Sequence, residues 1–250
     1  MSGPLAYEWV RISTVRSTWA LILVGALVPA ALVLFVTWLV NSAEDFQGGP
    51  PDGAATTGFS GFLPLVAAVL CTIGAASFGQ EYRHGLIRIT LATYPRRSTV
   101  FAAKAIMVVL ISILAAVIAI ACIVVANALG PAIAGKGVTW DTTALGPPGL
   151  RGVIYVVIFV LMAFALTALT RNQPLGIIVP VVFAVLVEPI IQTVALVQEW
   201  TWIDWVLPFT GATAGIGGDG LEAWAHLGVF FLWFLVLAIP AWVLFLRRDA

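Results

Sequence analysis

The chain has 250 residues, of which 61% are hydrophobic and 10% are charged, and it carries no formal net charge at pH 7. Soluble domains contain about 25% charged residues, so this composition excludes a soluble domain and indicates an integral membrane protein. The zero net charge says nothing by itself about nucleic acid. We expect the lipid bilayer and other proteins as partners, and no nucleic acid.

The N-terminal residues, Leu5 to Thr18, predict an amphipathic helix that lies on the membrane surface. Leu5, Trp9 and Ile12 share one face of this helix, and polar residues share another. Two roles fit the pattern. The helix is either an elbow that passes motion into the first span or a simple anchor.

Six apolar runs are long enough to cross the ~30 Å hydrocarbon core of a bilayer. They cover approximately residues 19–40, 58–78, 101–129, 152–170, 174–197 and 223–246. The stretch WVLPFTGATAGIGG before the last run predicts a re-entrant segment packed against protein. No stretch between spans exceeds about 25 residues, so we expect residues 1–250 to form one all-α membrane domain without a catalytic domain.

The charges divide unevenly between the two sides of this arrangement. Ten of the twelve Lys and Arg residues lie on the side of the termini, and only Lys136 and Arg151 lie on the other side. The positive-inside rule therefore places both termini in the cytoplasm. Lys104, at the start of the third span, is expected to extend its ammonium group to the inner surface.

One stretch matches most of a phosphate-binding P-loop, namely GPAIAGK from Gly130 to Lys136. In a P-loop, backbone N–H groups and the lysine bind phosphates, and a following Ser or Thr binds magnesium. Here Gly137 replaces that Ser or Thr, and Pro131 removes an N–H donor. The loop also faces away from cytoplasmic ATP, so we predict no nucleotide site in it.

Ser60, in the sequence GFSG, and His226 both lie near the predicted outer surface, which resembles the Ser–His pair of rhomboid intramembrane proteases. Ser60 lies in the second span instead of the fourth, and the sixth span lacks the glycine spacing of those proteases. A helix-capping serine and an interfacial histidine are favoured. An intramembrane serine protease stays open as an alternative. His84 has no second His or Cys nearby, so neither a metal site nor a catalytic residue is predicted.

A basic stretch, GQEYRHGLIRITLATYPRRSTVFAAK, connects the second and third spans and contains five of the twelve Lys and Arg residues. Within it, residues 86–93 predict a short amphipathic helix bounded by Gly85 and Pro95, since both residue types end helices. Apolar residues on a cytoplasmic loop need a surface to cover them. Docking of a partner is therefore favoured over a loop that only fixes topology.

The order of residues in this stretch resembles that of permease subunits of ABC type-2 exporters. In that family, a Glu, a basic residue and a Gly follow the second span, as Glu81, Arg83 and Gly85 do here. A short helix, a Pro with basic residues and a Lys that opens the third span come next, as in this chain. The N-terminal sequence EWVRISTVRSTW, the six spans and the segment before the last span also match.

The resemblance implies a bacterial plasma-membrane subunit of an ATP-driven exporter that binds no cofactor itself. ATP and Mg²⁺ would be bound by a separate cytoplasmic ATPase subunit, present in two copies. A second permease copy or a sister permease would complete the transporter. Glu81, Arg83 and Gly85 would shape the start of the short helix. The implied contact with the ATPase consists of Leu86, Ile87, Arg88, Ile89 and Leu91.

Glu188 is the one ionisable residue well inside a predicted span, about 21 Å along the helix from Pro174 at 1.5 Å per residue. A carboxylate there should face protein or a water-filled path instead of lipid. The resemblance implies a central path lined by the second and fifth spans, and Glu188 and Phe183 are expected to line it. The alternative is a structural Glu188 bonded to neighbours such as Gln192. A passive channel or scaffold is a further alternative function.

Overall fold

The structure is a computed structural model. It describes residues 3–42, 54–138, 140, 145–200 and 202–247, without the side chains of residues 54–59. In these ranges all regular secondary structure is helical. The helices are α1 Pro4–Thr14, α2 Arg16–Ser42, α3 Ala54–Arg83, α4 Ile87–Thr93, α5 Arg97–Ile133, α6 Pro147–Thr170, α7 Gln173–Val182, α8 Glu188–Val197, α9 Pro208–Gly217 and α10 Gly220–Arg247.

The predicted all-α membrane fold is confirmed, because the described residues contain six helical segments long and apolar enough to span a bilayer. These are α2, α3, α5, α6, the segment Gln173–Val197 and α10. Several run beyond the predicted apolar cores. α5 has 37 residues and a length of about 55 Å at 1.5 Å per residue, so it projects past a ~30 Å core.

The N-terminal segment is two helices joined by a corner instead of the single predicted helix through Thr18. Val15 is extended between α1 and α2, with φ −81° and ψ 112°. The Trp19 indole N–H donates to the Ser13 carbonyl across this corner at 2.9 Å. On the predicted apolar face, Ile12 is buried by protein, whereas Leu5 and Trp9 are exposed from the protein and free to contact lipid.

α6 is the central helix of the bundle and packs against α3, α5, α9 and α10. Of the residues in the most apolar 18-residue window of α6, 67% are buried. The corresponding share is 17% in α10 and in Gln173–Val197. Glycines permit the close contacts: a β-carbon on Gly74 would overlap the Val160 carbonyl of α6, and one on Gly176 would overlap Thr167. Small residues commonly let membrane helices approach in this way.

Four phenylalanines join α3, α5, α6 and α10 near the end of the bundle that carries α4. Their ring centroids lie 5.0–5.6 Å apart in five tilted or edge-on contacts. Such geometries add to the stabilisation from buried apolar area. The rings are Phe78, Phe101, Phe164 and Phe245.

The fifth span consists of α7, a π-helical turn at Phe183–Val187, and α8. Because proline disrupts helices, the sequence predicts interruptions of this span at Pro180 and at Glu188–Pro189. Pro180 instead lies within α7, and the irregular turn immediately precedes the second of these positions. Pro189 has no N–H to complete the α-helical hydrogen bonding, which explains why the helix widens at this point.

The predicted re-entrant segment is α9, whose ten residues extend about 15 Å, roughly half of a bilayer core. It is buried against α6 and α10 and follows a short 3₁₀ turn at Ile203–Trp205. A short helix at membrane depth must be covered by protein, as α9 is.

Candidate coupling site

A tight turn connects α3 to α4, and glycine is required in it. Gly85 has φ +67°, in the left-handed region. The Leu86 N–H donates to the Glu81 carbonyl at 2.9 Å, and the Gly85 N–H donates to the Tyr82 carbonyl at 3.3 Å. These two bonds form a Schellman motif, which closes the last turn of a helix. A β-carbon on Gly85 would meet nothing within 4 Å, so the need for glycine comes from its backbone conformation.

One face of α4 is held by the bundle. Ile87 and Thr90 are buried, and Leu91 packs, partly buried, against the apolar core. The Thr90 hydroxyl donates to the Leu86 carbonyl at 3.2 Å. Ile87 and Leu91, both predicted to contact an ATPase, therefore face their own protein. Both side chains pack α4 against the bundle.

The opposite face of α4 is open. Ile89 is 65% exposed, and Leu86, Arg88 and Arg83 are exposed with it. This surface combines apolar and basic side chains and follows directly from the turn at Gly85. The observed helix begins at Ile87, one residue after the predicted start. The side chains free to contact a partner are thus a subset of those predicted.

A cluster of four charged side chains lies beneath this turn and joins α1, α3 and α5. Lys104 Nζ donates to Glu8 Oε1 at 2.6 Å, to Glu81 Oε1 at 2.5 Å and to the Ser77 carbonyl at 3.3 Å. These three acceptors match the three N–H groups of an ammonium ion. Arg11 also donates to Glu81 and, at 2.9 Å, to the Ser77 carbonyl. We call Glu8, Arg11, Glu81 and Lys104 the ion cluster.

The ion cluster is buried and electrically balanced. The side chain of Lys104 is 0% exposed, those of Glu8 and Glu81 are 2% exposed, and that of Arg11 is 18% exposed. Two carboxylates face two cations, with a further Arg11–Glu8 contact at 3.1 Å. Because buried charges lose their hydration, such a cluster persists only when every charge is paired with good geometry. It therefore holds three helices in one relative arrangement.

The position of Lys104 corrects a prediction. Its ammonium group does not reach the inner surface, because Glu8 and Glu81 bind it inside the bundle. Glu81, predicted to shape the turn, also binds Arg11 and Lys104, and these contacts and the Glu8–Lys104 contact were not predicted from the sequence. The sequence of α1 contains one indication of this buried cluster. Glu8 and Arg11 are three residues apart and therefore on the same face of the helix, next to Ile12, which is buried.

A basic recess lies next to the turn, between the end of α3 and the start of α7. Its volume is about 540 Å³, and Arg83 and Arg171 both line it. The Arg171 guanidinium lies 5.5 Å from the centre of the Tyr82 ring. A β-carbon on Gly79 would overlap Gln173, so glycine lets the two helices meet at the base of the recess. This end of the bundle thus offers a basic concave surface beside the exposed face of α4.

Comparison with known protein families agrees with this architecture. Residues 5–187 match a family described as ABC-2 family transporter protein, and this range includes α1, the ion cluster and α4. The chain belongs to the ABC-2 family. No match was found among curated proteins. As a member of this family, the protein is a membrane permease subunit of an ABC transporter and a transport component instead of an enzyme.

The matched range ends at Val187, just before Glu188, whose carboxylate forms a second buried contact in this ABC-2 permease. The Glu188 side chain accepts from the N–H groups of Phe209 at 3.0 Å and Thr210 at 2.6 Å. These are unpaired donors in the first turn of α9, where a carboxylate is favourable. The suggested partner Gln192 instead donates to Asp204 at 3.4 Å. Glu188 therefore links the fifth span to α9.

The remaining predicted side chains are placed differently. Phe183 is partly exposed on the fifth span, and its ring centre lies 6.2 Å from that of Phe209. His226 stacks on Trp205 with ring centres 4.0 Å apart, and its buried Nδ1 has no hydrogen-bond partner. Ser60 approaches α9, because a β-carbon on Gly217 would lie 3.7 Å from its hydroxyl oxygen. Within the described ranges, no group of three His, Cys, Asp or Glu residues is placed to hold a metal ion.

Proposed function

We propose that this ABC-2 permease is the transmembrane subunit of an ATP-driven exporter and that α4 docks on a separate ATPase subunit. ATP and Mg²⁺ are bound by that partner. The observation that carries the proposal is the two-sided character of α4. Its inner face is fixed to the bundle through Ile87 and Leu91, while Ile89 and Arg88 lie open on its outer face.

The ion cluster gives α4 a rigid connection to the membrane helices. Glu81 belongs to the last turn of α3, and its carbonyl accepts the Leu86 N–H just before α4 begins. Its carboxylate is bound to Lys104 of α5 and to Arg11 of α1. A displacement of α4 by the ATPase is therefore transmitted to three helices together. This supports the elbow role for α1 over that of a simple anchor.

The ATPase is expected to have a surface that complements the exposed face of α4 and the adjacent basic recess. Ile89 offers an apolar contact, and Arg83 and Arg171 supply positive charge in the adjacent recess. An ATPase groove with an apolar floor and acidic residues on its rim fits both features. Two ATPase copies would dock if two permeases pair, one on each α4.

A second permease copy, identical or a sister chain, is expected along the fifth span. In its most apolar 18-residue window this span is 17% buried within one chain, the same share as in α10, compared with 67% in α6. Its open surface includes Phe183, Val185 and Ile190. The path for the substrate would run between the two copies, and Phe183 is placed to line it.

Glu188 can contact a substrate in the path only if its hydrogen bonds to α9 break. Both of its carboxylate oxygens accept backbone N–H groups in the present arrangement. We propose that Glu188 chiefly makes α9 follow the fifth span as that span moves. Direct contact with the substrate would occur only in a state in which α9 has shifted.

The charge distribution of the sequence supports a proposal for the cellular location and orientation of the permease. The proposed location is the bacterial plasma membrane, with both termini and α4 in the cytoplasm. The ATPase would then meet α4 on the side where ATP is available. Export is the expected direction of transport.

An Ile89→Glu variant tests the docking surface. The substitution places a carboxylate in an apolar contact, so the permease should insert normally but co-purify with its ATPase at least about tenfold less well. Ile133→Glu is the matched control, because Ile133 is 60% exposed and lies at the opposite end of α5. Normal co-purification and transport by the Ile89 variant would contradict the proposal.

A Ser60→Ala variant separates the permease from the alternative intramembrane protease. A hydrolase that uses Ser60 and His226 would lose its activity, whereas a permease would keep transport nearly unchanged. ATP-dependent transport of any substrate by the complex would also exclude a passive channel or scaffold. Loss of activity in the Ser60 variant with normal assembly would contradict the permease proposal.

A further inference from the structure

A groove opens at the end of the bundle opposite α4, where the first turns of α6 and α10 meet the end of α9. Its volume is about 740 Å³. The walls are mostly apolar or backbone, with two charged side chains among them. The lining residues are Gly146, Pro147, Pro148, Arg151, Gly217, Asp219, Gly220, Leu221 and Trp224.

Arg151 is the unusual residue of this groove. It is only 2% exposed, and its Nε–H has no hydrogen-bond partner. No carboxylate of the described part of the chain lies within ion-pair distance of its guanidinium. Trp224, which lines the same groove, places its ring centre 6.0 Å from the guanidinium carbon. The groove therefore has a buried cation at its base.

A buried guanidinium without an anion is costly, and here the Nε–H has lost water without gaining an acceptor. An aromatic ring offsets only part of this cost. The ion cluster of the same protein differs in this respect, because Arg11 and Lys104 are both paired with carboxylates. Within the described residues, no anion completes the Arg151 site. A phosphate group, with several oxygens for the guanidinium fork, fits this requirement.

A negative charge lies at the same groove. Asp219 is exposed and lines the groove, and it forms no ion pair with Arg151 in the structure. The groove thus presents one cation at its base and one carboxylate at its surface. A ligand with a phosphate alone would be repelled by Asp219. A ligand that carries both a phosphate and an ammonium group complements both charges.

The depth of the groove indicates where such a ligand comes from. α6 begins at Pro147, whereas the apolar run of the fourth span begins at residue 152, so the first turn of α6 precedes the apolar run and fits the headgroup region. Beside the groove, Leu221 is 87% exposed and Trp224 is 40% exposed. Tryptophan is enriched at this level of membranes, and exposed apolar side chains there contact acyl chains.

We propose that this groove binds the headgroup of a zwitterionic phospholipid, with the phosphate on Arg151 and the ammonium group beside Asp219. The lipid tails lie along Leu221 and Trp224. The site is separate from α4 and from the fifth span. It ties the start of α6, the end of α9 and the start of α10 to one lipid in the leaflet opposite the coupling helix.

The test is a lipid titration of the purified full chain, followed by native mass spectrometry. The probes are phosphatidylethanolamine, phosphatidylglycerol and inorganic phosphate. The chain should bind phosphatidylethanolamine at least about tenfold more tightly than phosphatidylglycerol. Arg151→Gln should weaken phosphatidylethanolamine binding about tenfold. Arg247→Gln, which removes an exposed charge at the other end of α10, should leave the binding unchanged.

Asp219→Asn provides an independent measurement if Arg151→Gln impairs folding, because Asp219 is exposed. This variant should keep lipid binding but reduce the preference for phosphatidylethanolamine over phosphatidylglycerol at least about fivefold. An unchanged preference would overturn the proposal. Equal binding of phosphatidylethanolamine by the native chain and by a folded Arg151→Gln variant would also overturn the proposal. Saturation of the site by inorganic phosphate in place of lipid would overturn it as well.

Discussion

Replacing Lys104 with Met tests the ion cluster most directly. The substitution keeps a long apolar side chain but removes the cation that Glu8 and Glu81 share at 2.6 and 2.5 Å. Arg11 is then left to balance two buried carboxylates. Breaking a buried ion pair by removing one partner costs about 3–5 kcal/mol. For a chain of this size, 1 kcal/mol corresponds to about 2–4 °C, so the melting temperature should fall by roughly 6–20 °C.

Lys136→Met is the matched control, because Lys136 is the other of the two lysines in the chain and is exposed. Thermal unfolding in detergent or nanodiscs should show little change for this control. Adding Glu81→Gln to Lys104→Met should recover part of the lost stability, since one carboxylate and one cation, Glu8 and Arg11, then remain. A decrease below about 1 kcal/mol for Lys104→Met, the level of a surface ion pair, would refute the argument.

Further predictions concern the turn, the Glu188 contact and the topology. Gly85→Ala should destabilise the permease by about 1–2 kcal/mol, because φ is +67° there, and should weaken ATPase binding; an unchanged melting temperature would contradict this. Glu188→Ala should raise the hydrogen-exchange rate of the first-turn amides of α9 about 5–30-fold, because the loss of a side-chain acceptor at a helix start costs ~1–2 kcal/mol. An exchange rate equal to that of the parent would contradict a stabilising contact between Glu188 and α9. In a cysteine-free chain, a cysteine at Asp219 should react with impermeant reagent from outside and one at Thr93 only from inside; labelling of both from one side would disprove the six-span topology.

Much of the fold followed from local features of the sequence. The length of the apolar runs predicted the spans, and Gly85 and Pro95 predicted the limits of the helix now seen as α4. These features act over a few residues and can be read without a structure. The start of α4 differs by one residue, because Leu86 takes part in the Schellman turn.

The partners of buried charges could not be predicted in the same way. Lys104 and Glu8 are 96 residues apart, and their contact depends on how α1 folds back on the bundle. Glu188 is bound by backbone N–H groups, a type of donor that every residue but proline carries, so no residue type marks its partner. Side-chain character alone therefore suggested Gln192, the nearest polar neighbour on the same helix.

The composition of the ion cluster also has a consequence for biogenesis. Glu8 leaves the ribosome long before Lys104, so the N-terminal helix cannot complete its contacts until the third span has been synthesised. In the proposed orientation, a newly synthesised Lys104 that has not yet met Glu8 and Glu81 adds a positive charge that favours a cytoplasmic start of the third span. Once α3 and α5 lie side by side, the same ammonium group is withdrawn into the bundle and draws α1 against it. In that orientation, one lysine would serve first as an orientation signal for insertion and afterwards as the internal counter-ion of Glu8 and Glu81.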